Sequence, residues 1–217
     1  MEPSVYERLR ESIVNGDYPA GEPLIETTLA AQFSVSRTPI REALRRLEQD
    51  GLVERGSRGM HVRSRSPEEI LEIYEVRVTL EVAAARAAAE RRTPFDLARL
   101  EQIHQAMLAA STEDSERLAS TNRKFHEIIW TMSHNATLID LLTRLHSHLT
   151  RYRGTTLTFR DRWQAVLKEH AQLIEAIKDG DRELAGQIAE EHMIAARNTR
   201  LMMYADINNE SNTALKS

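Results

Sequence analysis

Three histidines in the C-terminal half of the chain have surroundings that suit metal coordination. His126, His170 and His192 each lie in a row of apolar residues at helical spacing, and His126 follows Asn122 by one helical turn. Such rows face the interior of a helical protein, where an imidazole needs a partner for its nitrogens. We therefore expect these four side chains to point inward, and the other histidines, His104 among them, to occupy the surface, turns and hairpin.

The turn at Gly180 sets the relative heights of two of these histidines. His170 lies 10 residues before Gly180 and His192 lies 12 residues after it, which is roughly 15 and 18 Å along two antiparallel helices. The two rings would therefore meet, and His126 and Asn122 would join them from a third helix. Three imidazole nitrogens and one amide oxygen suit a divalent cation such as zinc, nickel or manganese, with positions left for water or a ligand. The alternative is that each histidine is a hydrogen-bonded core residue.

Arg77 presents a separate chemical question. It shares an apolar stripe with Ile73 and Tyr74. A guanidinium keeps its charge in such surroundings, so it requires an anion. That anion is either the carboxylate of a bound ligand or an internal partner such as Glu81 or Glu75.

The elements that must position these residues are helical throughout. We expect six helices, near residues 67–91, 95–110, 113–132, 135–152, 159–179 and 181–202, with a frayed polar tail after Asp206. Short connections favour an antiparallel bundle of six to seven helices. The fold is thus predicted to be mainly α, with residues 66–217 forming a domain for effector binding and dimerisation.

The charge, cysteine content and hydrophobicity of the sequence limit the classes of protein to which the chain can belong. The 217 residues carry a net charge of −4 and no cysteine, which excludes disulfides and thiolate metal sites. The sequence has no apolar run of membrane-spanning length and no secretory signal, so we expect a cytoplasmic protein without membrane association. The segment from Ser36 to Arg65, however, contains eight arginines and only four acidic residues. Such a local basic patch is typical of a DNA-binding domain attached to a domain that is not basic.

Residues 1–65 are predicted to form that DNA-binding domain. Helices are expected from near Val5 to Asn15, from Glu26 to Phe33 and from an N-cap at Ser36 to a stop at Gly51, followed by strands at Leu52–Val53 and Met60–Val62. In the third helix a buried stripe through Ile40 and Leu47 leaves Arg37, Arg41 and Arg45 on an outward face. Two short helices with arginines on the second, followed by a basic β-hairpin, indicate a winged helix-turn-helix.

This arrangement suggests how duplex DNA would be contacted. The arginine-rich helix would enter the major groove, where arginine pairs with guanine O6 and N7. Ser36 and Thr38, at the helix N-terminus, would donate to a phosphate, and Arg58 at the hairpin tip suits the minor groove or the backbone. The alternative is that the arginines form only a solvated helix face.

The segment LAAQFSVSRTPIREALRRLEQDGLV resembles the DNA-binding signature of the GntR family of bacterial repressors, and the resemblance covers residues 5–63. The residues that would contact DNA by this resemblance are Arg37, Thr38, Arg41 and Arg45. It also implies that Gly59 lets the wing tip approach DNA closely. Thr27 replaces a basic residue that many relatives have, so Arg37 and Arg41 are expected to carry more of the recognition.

Residues of about 67–200 resemble the effector domain of the FadR branch of that family, through NRKFHEIIWTMSHNATLIDLL, EHAQLIEAI and His192. The resemblance is to the metal-binding version, in which an aspartate, less often an asparagine, and three histidines hold the ion. The matching residues are Asn122, His126, His170 and His192. An amide oxygen is a weaker ligand than a carboxylate, which implies lower affinity or ligand-dependent occupancy. Six helices would suggest the VanR-like subgroup. Relatives bind small organic acids, which implies that a ligand carboxylate bridges Arg77 and the metal here.

These expectations combine into one functional hypothesis. The protein would be a sequence-specific transcriptional regulator, acting as a repressor, that binds an inverted-repeat operator as a homodimer. A divalent metal and a small carboxylate effector would modulate operator binding through different affinities for two arrangements of the protein. Two alternatives stay open: a metalloenzyme that activates water, disfavoured because no inward acid or base is evident, and a constitutive DNA binder with a structural metal.

Overall fold

A computed structural model describes residues 3–57, 59–64, 66–149 and 155–214, with side chains as far as Asp206. The described part is mainly helical and contains one two-stranded antiparallel sheet. The chain divides into two compact units: residues up to Ser66 with a segment that begins at His146, and Pro67–Leu145 with the residues from Gly154 onward. Within the described residues, no helix has the length and apolar character needed to cross a membrane.

The first unit contains three helices and a hairpin: α1 (Val5–Asn15), α2 (Glu26–Gln32), α3 (Arg37–Gln49), β1 (Val53–Gly56) and β2 (Gly59–Val62). A capping box starts α1, because the Ser4 hydroxyl accepts from the Glu7 amide while the Glu7 carboxylate accepts from the Ser4 amide. Leu9, Ile40 and Leu47 are fully buried in its core. The winged helix-turn-helix predicted from the sequence is therefore confirmed.

Three strand boundaries differ from the prediction. β1 ends at Gly56 rather than at Val53, and β2 begins at Gly59 rather than at Met60, because the strand pairing continues to the turn. β1 begins at Val53 rather than Leu52, since the Leu52 amide donates to the Leu47 carbonyl and thereby belongs to the turn that ends α3. In the hairpin Val53 faces Val62, and Gly56 faces Gly59. Arg58, predicted at the hairpin tip, lies outside the described residues.

The six helices predicted for the rest of the chain are present: α4 (Pro67–Arg91), α5 (Pro94–Leu108), α6 (Ser115–Met132), α7 (Ala136–Leu149), α8 (Arg162–Asp179) and α9 (Arg182–Ala214). All belong to the second unit, except for the end of α7 from His146 onward. Two boundaries were wrong. α8 begins at Arg162 rather than at 159, because Thr156–Thr158 forms a 3-10 turn and Arg160 and Asp161 take positive φ angles of 43° and 59°. The tail after Asp206 continues as helix to Ala214, since neither glycine nor proline follows Gly186. The predicted end of the fourth helix at 152 lies outside the described residues.

The core of this unit brings three helices together around the predicted site. Phe125 and Ile129 of α6 and Leu173 and Ile177 of α8 pack in one apolar cluster with residues of α9. Gly180, with a φ of +77°, ends α8, and the chain re-enters a helix two residues later. This tight turn makes α8 and α9 neighbours, and it places the residues on their facing sides at comparable heights.

Candidate functional site

The three inward histidines meet at one point of the second unit. His126 of α6, His170 of α8 and His192 of α9 are 4%, 0% and 5% exposed. Their ring centroids lie 5.3 Å apart for His126 and His170, 5.2 Å for His126 and His192, and 4.9 Å for His170 and His192. One nitrogen from each ring lies within 4.8 Å of the others. The convergence expected from the spacing around Gly180 is therefore present, whereas coordination of a metal by these rings stays a prediction.

Two of these rings have a carboxylate beside Nδ1. His192 Nδ1 lies 2.6 Å from Glu169 Oε2, and His126 Nδ1 lies 3.6 Å from Glu81 Oε2. A neutral imidazole that donates from Nδ1 keeps a lone pair on Nε2. The Glu169 contact therefore orients His192 and leaves its Nε2 available as a ligand, in the manner of the carboxylate partners that metal-binding histidines use.

His170 differs from an ordinary core histidine. Both of its ring nitrogens are buried and have no hydrogen-bond partner among the described residues. Its ring stacks on Phe125 with centroids 3.8 Å apart and an interplanar angle of 5°. A buried polar nitrogen without a partner costs free energy, so hydrogen bonding within the fold does not account for a histidine at this position.

Asn122 reaches the same region from α6. Its Oδ1 is buried and also has no hydrogen-bond partner among the described residues. Asn122, His126 and His192 line one cavity of about 50 Å³, together with Arg77 and Arg162. This volume accommodates an ion and a few water molecules. The donor set and the three orphaned polar atoms thus fit a small cation.

Arg77 has an internal partner. Its Nε and Nη2 donate to Glu81 Oε1 at 3.0 and 2.9 Å, and Trp130 Nε1 donates to Glu81 Oε2 at 2.8 Å. Burial alone would raise the pKa of Glu81, but the neighbouring His126 and Arg77 outweigh burial and lower it below its ordinary value. Glu81 and Glu75 were the two internal partners predicted for Arg77, and the hydrogen bonds are made by Glu81. Because Arg77 also lines the cavity, its predicted role toward a ligand stays a prediction.

A second ion pair, between the buried Arg162 and the partly buried Glu169, was missed by sequence reasoning. Arg162 Nη1 and Nη2 donate to Glu169 Oε1 and Oε2 at 2.5 and 2.8 Å, and Arg162 lines the cavity. Burial would raise the pKa of Glu169, but hydrogen bonds from His192 and Arg162 lower it overall. The signal was available, since two residues seven apart in a helix share a face.

Burial favours the neutral form of two of these histidines, His170 and His192. It lowers the pKa of His192 from 6.5 to about 4, although the hydrogen bond to Glu169 acts in the opposite direction. The pKa of His170 falls well below its ordinary value, chiefly because of burial. Both rings are therefore unprotonated near neutral pH, which is the state that binds a metal.

His104 corrects one expectation about the remaining histidines. It was expected at the surface or in a turn, but it is buried on α5 with 8% exposure. Its Nε2 lies 3.2 Å from the Leu167 carbonyl oxygen, so the ring has the partner that His170 lacks. The expectation was wrong because α5 turns the face carrying His104 and Leu100 toward α8. His104 provides a natural comparison for His170.

The arginines predicted to contact DNA lie along the exposed face of α3. The side chains of Arg37 and Arg41 are 59% and 63% exposed, and Arg45 is exposed as well. Glu26, the first residue of α2, accepts hydrogen bonds from two of these arginines. Arg41 Nε and Nη2 donate to its carboxylate at 3.0 and 2.9 Å, and Arg37 Nη2 donates at 3.0 Å. These hydrogen bonds, with that of Arg41 the strongest, lower the pKa of Glu26 to about 2. Sequence reasoning had assigned Glu26 no role.

The other predicted contacts are placed consistently with that face. Ser36 and Thr38 are exposed at the N-terminus of α3, and Ser36 makes no capping hydrogen bond there. Gly59 has a φ of +110°, with open space where a Cβ would stand, which suits close approach of another molecule. Contact of these residues with DNA stays a prediction.

Comparison with known proteins identifies the family. The family model described as bacterial regulatory proteins, gntR family, matches residues 2–62, and the FCD domain model matches residues 72–196. The chain is also 36% identical to the uncharacterized HTH-type transcriptional regulator YdhC of Bacillus subtilis, over 84% of this chain and 83% of that protein. The chain belongs to the GntR family. This GntR-family protein is thus a DNA-binding transcriptional regulator with an FCD domain, as the resemblances indicated.

Further relatives agree with this assignment. The GntR-family chain is 33% identical to the galactonate operon transcriptional repressor of Escherichia coli, over 89% of this chain and 93% of the repressor. Among solved structures it is similar to E. coli McbR/YncC, with a TM-score of 0.77, 25% identity, and coverage of 92% and 96% of the two chains. The family and the names of the relatives indicate a regulator of transcription rather than an enzyme.

Proposed function

We propose that this GntR-family regulator is a repressor that binds an inverted-repeat operator as a homodimer, and that its FCD domain binds a divalent metal together with a small organic acid. The observation that carries the metal proposal is the buried set of polar atoms in the FCD domain. Three imidazoles converge, and the buried amide oxygen of Asn122 has no hydrogen-bond partner beside a cavity that His126 and His192 also line. Both nitrogens of His170 also have no partner among the described residues.

The residues that would hold the ion are His126, His170, His192 and Asn122. Imidazole nitrogens with one amide oxygen suit zinc, nickel or manganese, and the ion would supply a positive centre that a ligand carboxylate can bind. Glu169 would orient His192 from outside this set through its 2.6 Å contact with Nδ1. Chemistry at the ion is not required for this role, because the ligand needs only to bind and leave.

A carboxylate effector is supported by the charges at the cavity. Arg77 and Arg162 both line it, and both are buried. Two relatives are named after operons of sugar acids: the galactonate operon repressor of E. coli and the gluconate operon repressor of Bacillus subtilis. The second is 28% identical to this chain, over 81% of this chain and 75% of that protein. A cavity of about 50 Å³ is smaller than such an acid. The FCD domain would therefore adopt a more open arrangement with the acid bound, and a difference in affinity between the two arrangements would alter operator binding.

Operator recognition is assigned to α3 and the hairpin. Arg37, Arg41 and Arg45 would read bases or contact phosphates from the exposed face of α3. Ser36 and Thr38 would bind a phosphate at the helix N-terminus, and Arg58 and Gly59 would bring the hairpin to the backbone or minor groove. One recognition helix covers a half-site, so two copies related by a two-fold axis would match an inverted repeat.

Native mass spectrometry of the purified full-length protein, followed by DNA binding, tests these assignments. A dimer mass with a bound divalent metal is expected, and a co-purified acid would identify the effector. An operator is first selected from a random duplex library with the unchanged protein. The Arg41→Ala protein should bind this operator more weakly and have an unchanged metal content. His170→Leu should remove the metal and keep operator affinity measurable. A protein that takes up no zinc, nickel or manganese would refute the metal site, and operator affinity unaffected by acids would favour a constitutive DNA binder.

A further inference from the structure

The wall of the cavity consists of long helices except at one place. Helices α4, α6, α8 and α9 supply most of the lining side chains, and Thr156 and Leu157 supply the rest. These two residues belong to the 3-10 turn within residues 155–161, which we call the strap. The turn packs against α6, α8 and α9, and Leu157 is buried in the apolar cluster, whereas Thr158 and Arg160 are exposed. One layer of chain therefore separates the cavity from solvent at the strap.

The strap ends in strained backbone. Arg160 and Asp161 have φ angles of 43° and 59°, in the left-handed region that residues other than glycine seldom adopt. Asp161 also precedes α8 without a capping hydrogen bond from its side chain. Two consecutive residues in this conformation raise the free energy of the strap in its observed position, and such strain is common at segments that move. Relaxation of these residues therefore favours displacement of the strap.

The strap has little polar attachment to the rest of the domain. Over the residues that the structure describes, its hydrogen bonds stay within the strap and the first turn of α8, with one exception. In that exception Arg160 Nη2 donates to Asp206 Oδ2 of α9 at 3.0 Å. The two side chains are 65% and 44% exposed, and ion pairs with such exposure contribute little to stability. The strap is therefore held by the burial of Leu157 and by one weak link.

Resting on the proposed function, we infer that the strap is a gate, which moves away from α6 and α9 to admit a ligand, and that the Arg160–Asp206 ion pair is its latch. With the strap in place, the cavity of about 50 Å³ holds nothing larger than a few water molecules. Displacing one short turn disturbs fewer buried contacts than separating two long helices, and segments with few buried contacts open most readily. The strap is therefore the part of the wall that opens, and the helices keep their places.

Thiol labelling measures this opening, because the chain has no cysteine of its own. Leu157→Cys places a thiol on the inner side of the strap, and Val166→Cys places one on α8 in the cavity behind it. Leu100→Cys, on α5 in the same apolar cluster, is the matched control. The three replaced side chains are 6%, 1% and 0% exposed. A thiol in any of these positions therefore reacts only when its surroundings open.

Each full-length, metal-free protein is treated with excess maleimide under native conditions, and its labelling rate is divided by that of the urea-unfolded protein. The strap thiol and the cavity thiol should each react about 10-fold faster than the control thiol or more, because local opening requires less free energy than unfolding of the core. No ligand takes part in this measurement, so its result does not depend on which metal or acid the protein binds.

Replacing Asp206 by asparagine tests the latch without changing the strap itself. Asp206→Asn should raise the labelling rates of the strap thiol and the cavity thiol by the same factor of about 1.4 to 5, which corresponds to an exposed ion pair. The rate of the control thiol should not change. Glu183→Gln is the matched control variant, because it removes an exposed ion pair with Arg86 near the start of the same helix. It should alter none of the three rates.

The outcomes separate the gate from the proposed function. A strap thiol that reacts as slowly as the control thiol overturns the gate. A cavity thiol that does not respond to Asp206→Asn, while the strap thiol does, overturns the strap as the entrance. If Leu157→Cys does not fold, Val166→Cys with and without Asp206→Asn still decides the question. A protein without metal or acid in the native mass spectrum refutes the proposed function and leaves every labelling rate as it was.

Discussion

Replacing His170 by leucine should stabilise the metal-free protein. The imidazole of His170 is fully buried, and neither nitrogen has a hydrogen-bond partner among the described residues. A neutral imidazole has one donor and one acceptor, so two polar groups have lost their hydrogen bonds to water without replacement. Leucine is close in size and carries no polar atom. His170→Leu therefore removes a cost that the fold currently bears.

The size of the effect follows from the same contacts. Each unsatisfied buried polar group costs about 1–3 kcal/mol, and the lost stacking on Phe125 returns about 0.5–1.5 kcal/mol. Two such groups together cost about 2–6 kcal/mol, so a net gain of about 0.5–5.5 kcal/mol in the free energy of unfolding is expected. For a chain of this size, about 2–4 °C of melting temperature corresponds to each kcal/mol, so the Tm should rise by about 1–22 °C.

Thermal unfolding is measured for both proteins, once with a chelator and once with added metal and acid. The first measurement gives the stability of the metal-free protein, and the second gives the stability gained from bound ligand. With chelator, His170→Leu should melt above the unchanged protein. With saturating Ni²⁺ and acetate the order should reverse, because only the unchanged protein gains about 3 kcal/mol or more from bound ligand. His104→Leu is the matched control, since its ring bonds the Leu167 carbonyl oxygen and its removal should not stabilise. A lower Tm for His170→Leu in chelator would refute the reasoning.

Three further expectations concern other parts of the molecule. Arg41→Ala should weaken operator binding by about 1–3 kcal/mol and flatten its salt dependence, as seen by fluorescence anisotropy; an unchanged salt slope would argue against a phosphate or base contact. Glu26→Gln releases Arg37 and Arg41 from their shared carboxylate, so random duplex should bind more tightly and the ratio of specific to random affinity should fall; Glu22→Gln is the control. The pKa of His192 is lowered from 6.5 to about 4, so the unfolded state binds the proton first, and the metal-free protein should lose about 3 kcal/mol of stability as the pH falls through that range, measurable by urea unfolding. The lowered pKa of His170 adds to this loss. Stability independent of pH across this window would mean that both histidines bind their protons at the same pH in the folded and unfolded states.

The fold was largely predictable because its signals are local. Gly16, Gly51 and Gly180 end helices with positive φ angles, and the sequence placed a stop at each. Where a boundary was predicted wrongly, it depended on a backbone hydrogen bond within a turn or on the absence of a residue that ends a helix. Leu52 joins the turn after α3 through a backbone bond to Leu47, and the end of α9 continues because nothing in its sequence interrupts it.

The convergence of the three histidines was predictable, whereas part of their surroundings was not. His170 and His192 are tied to one turn, so their meeting follows from helix geometry. Glu81 was named as a possible partner of Arg77, and that pairing is present. The Glu169 carboxylate was missed, since a glutamate on a helix is usually exposed and its burial depends on which helix packs across it. Glu26 was missed for the same reason, because its partners lie in the next helix.

The buried polar groups of the FCD domain bear on how a ligand could act at all. Three imidazoles and the Arg77–Glu81 ion pair are buried where apolar side chains would pack at lower cost, since replacing buried ion pairs by apolar residues is often neutral or stabilising. A domain that carries such a cluster is less stable without ligand than an apolar bundle of the same size. Ligands that bind only the folded, correctly arranged cluster recover that free energy. If the proposed acid and metal ion bind there, this cost would let them shift the population of domain arrangements.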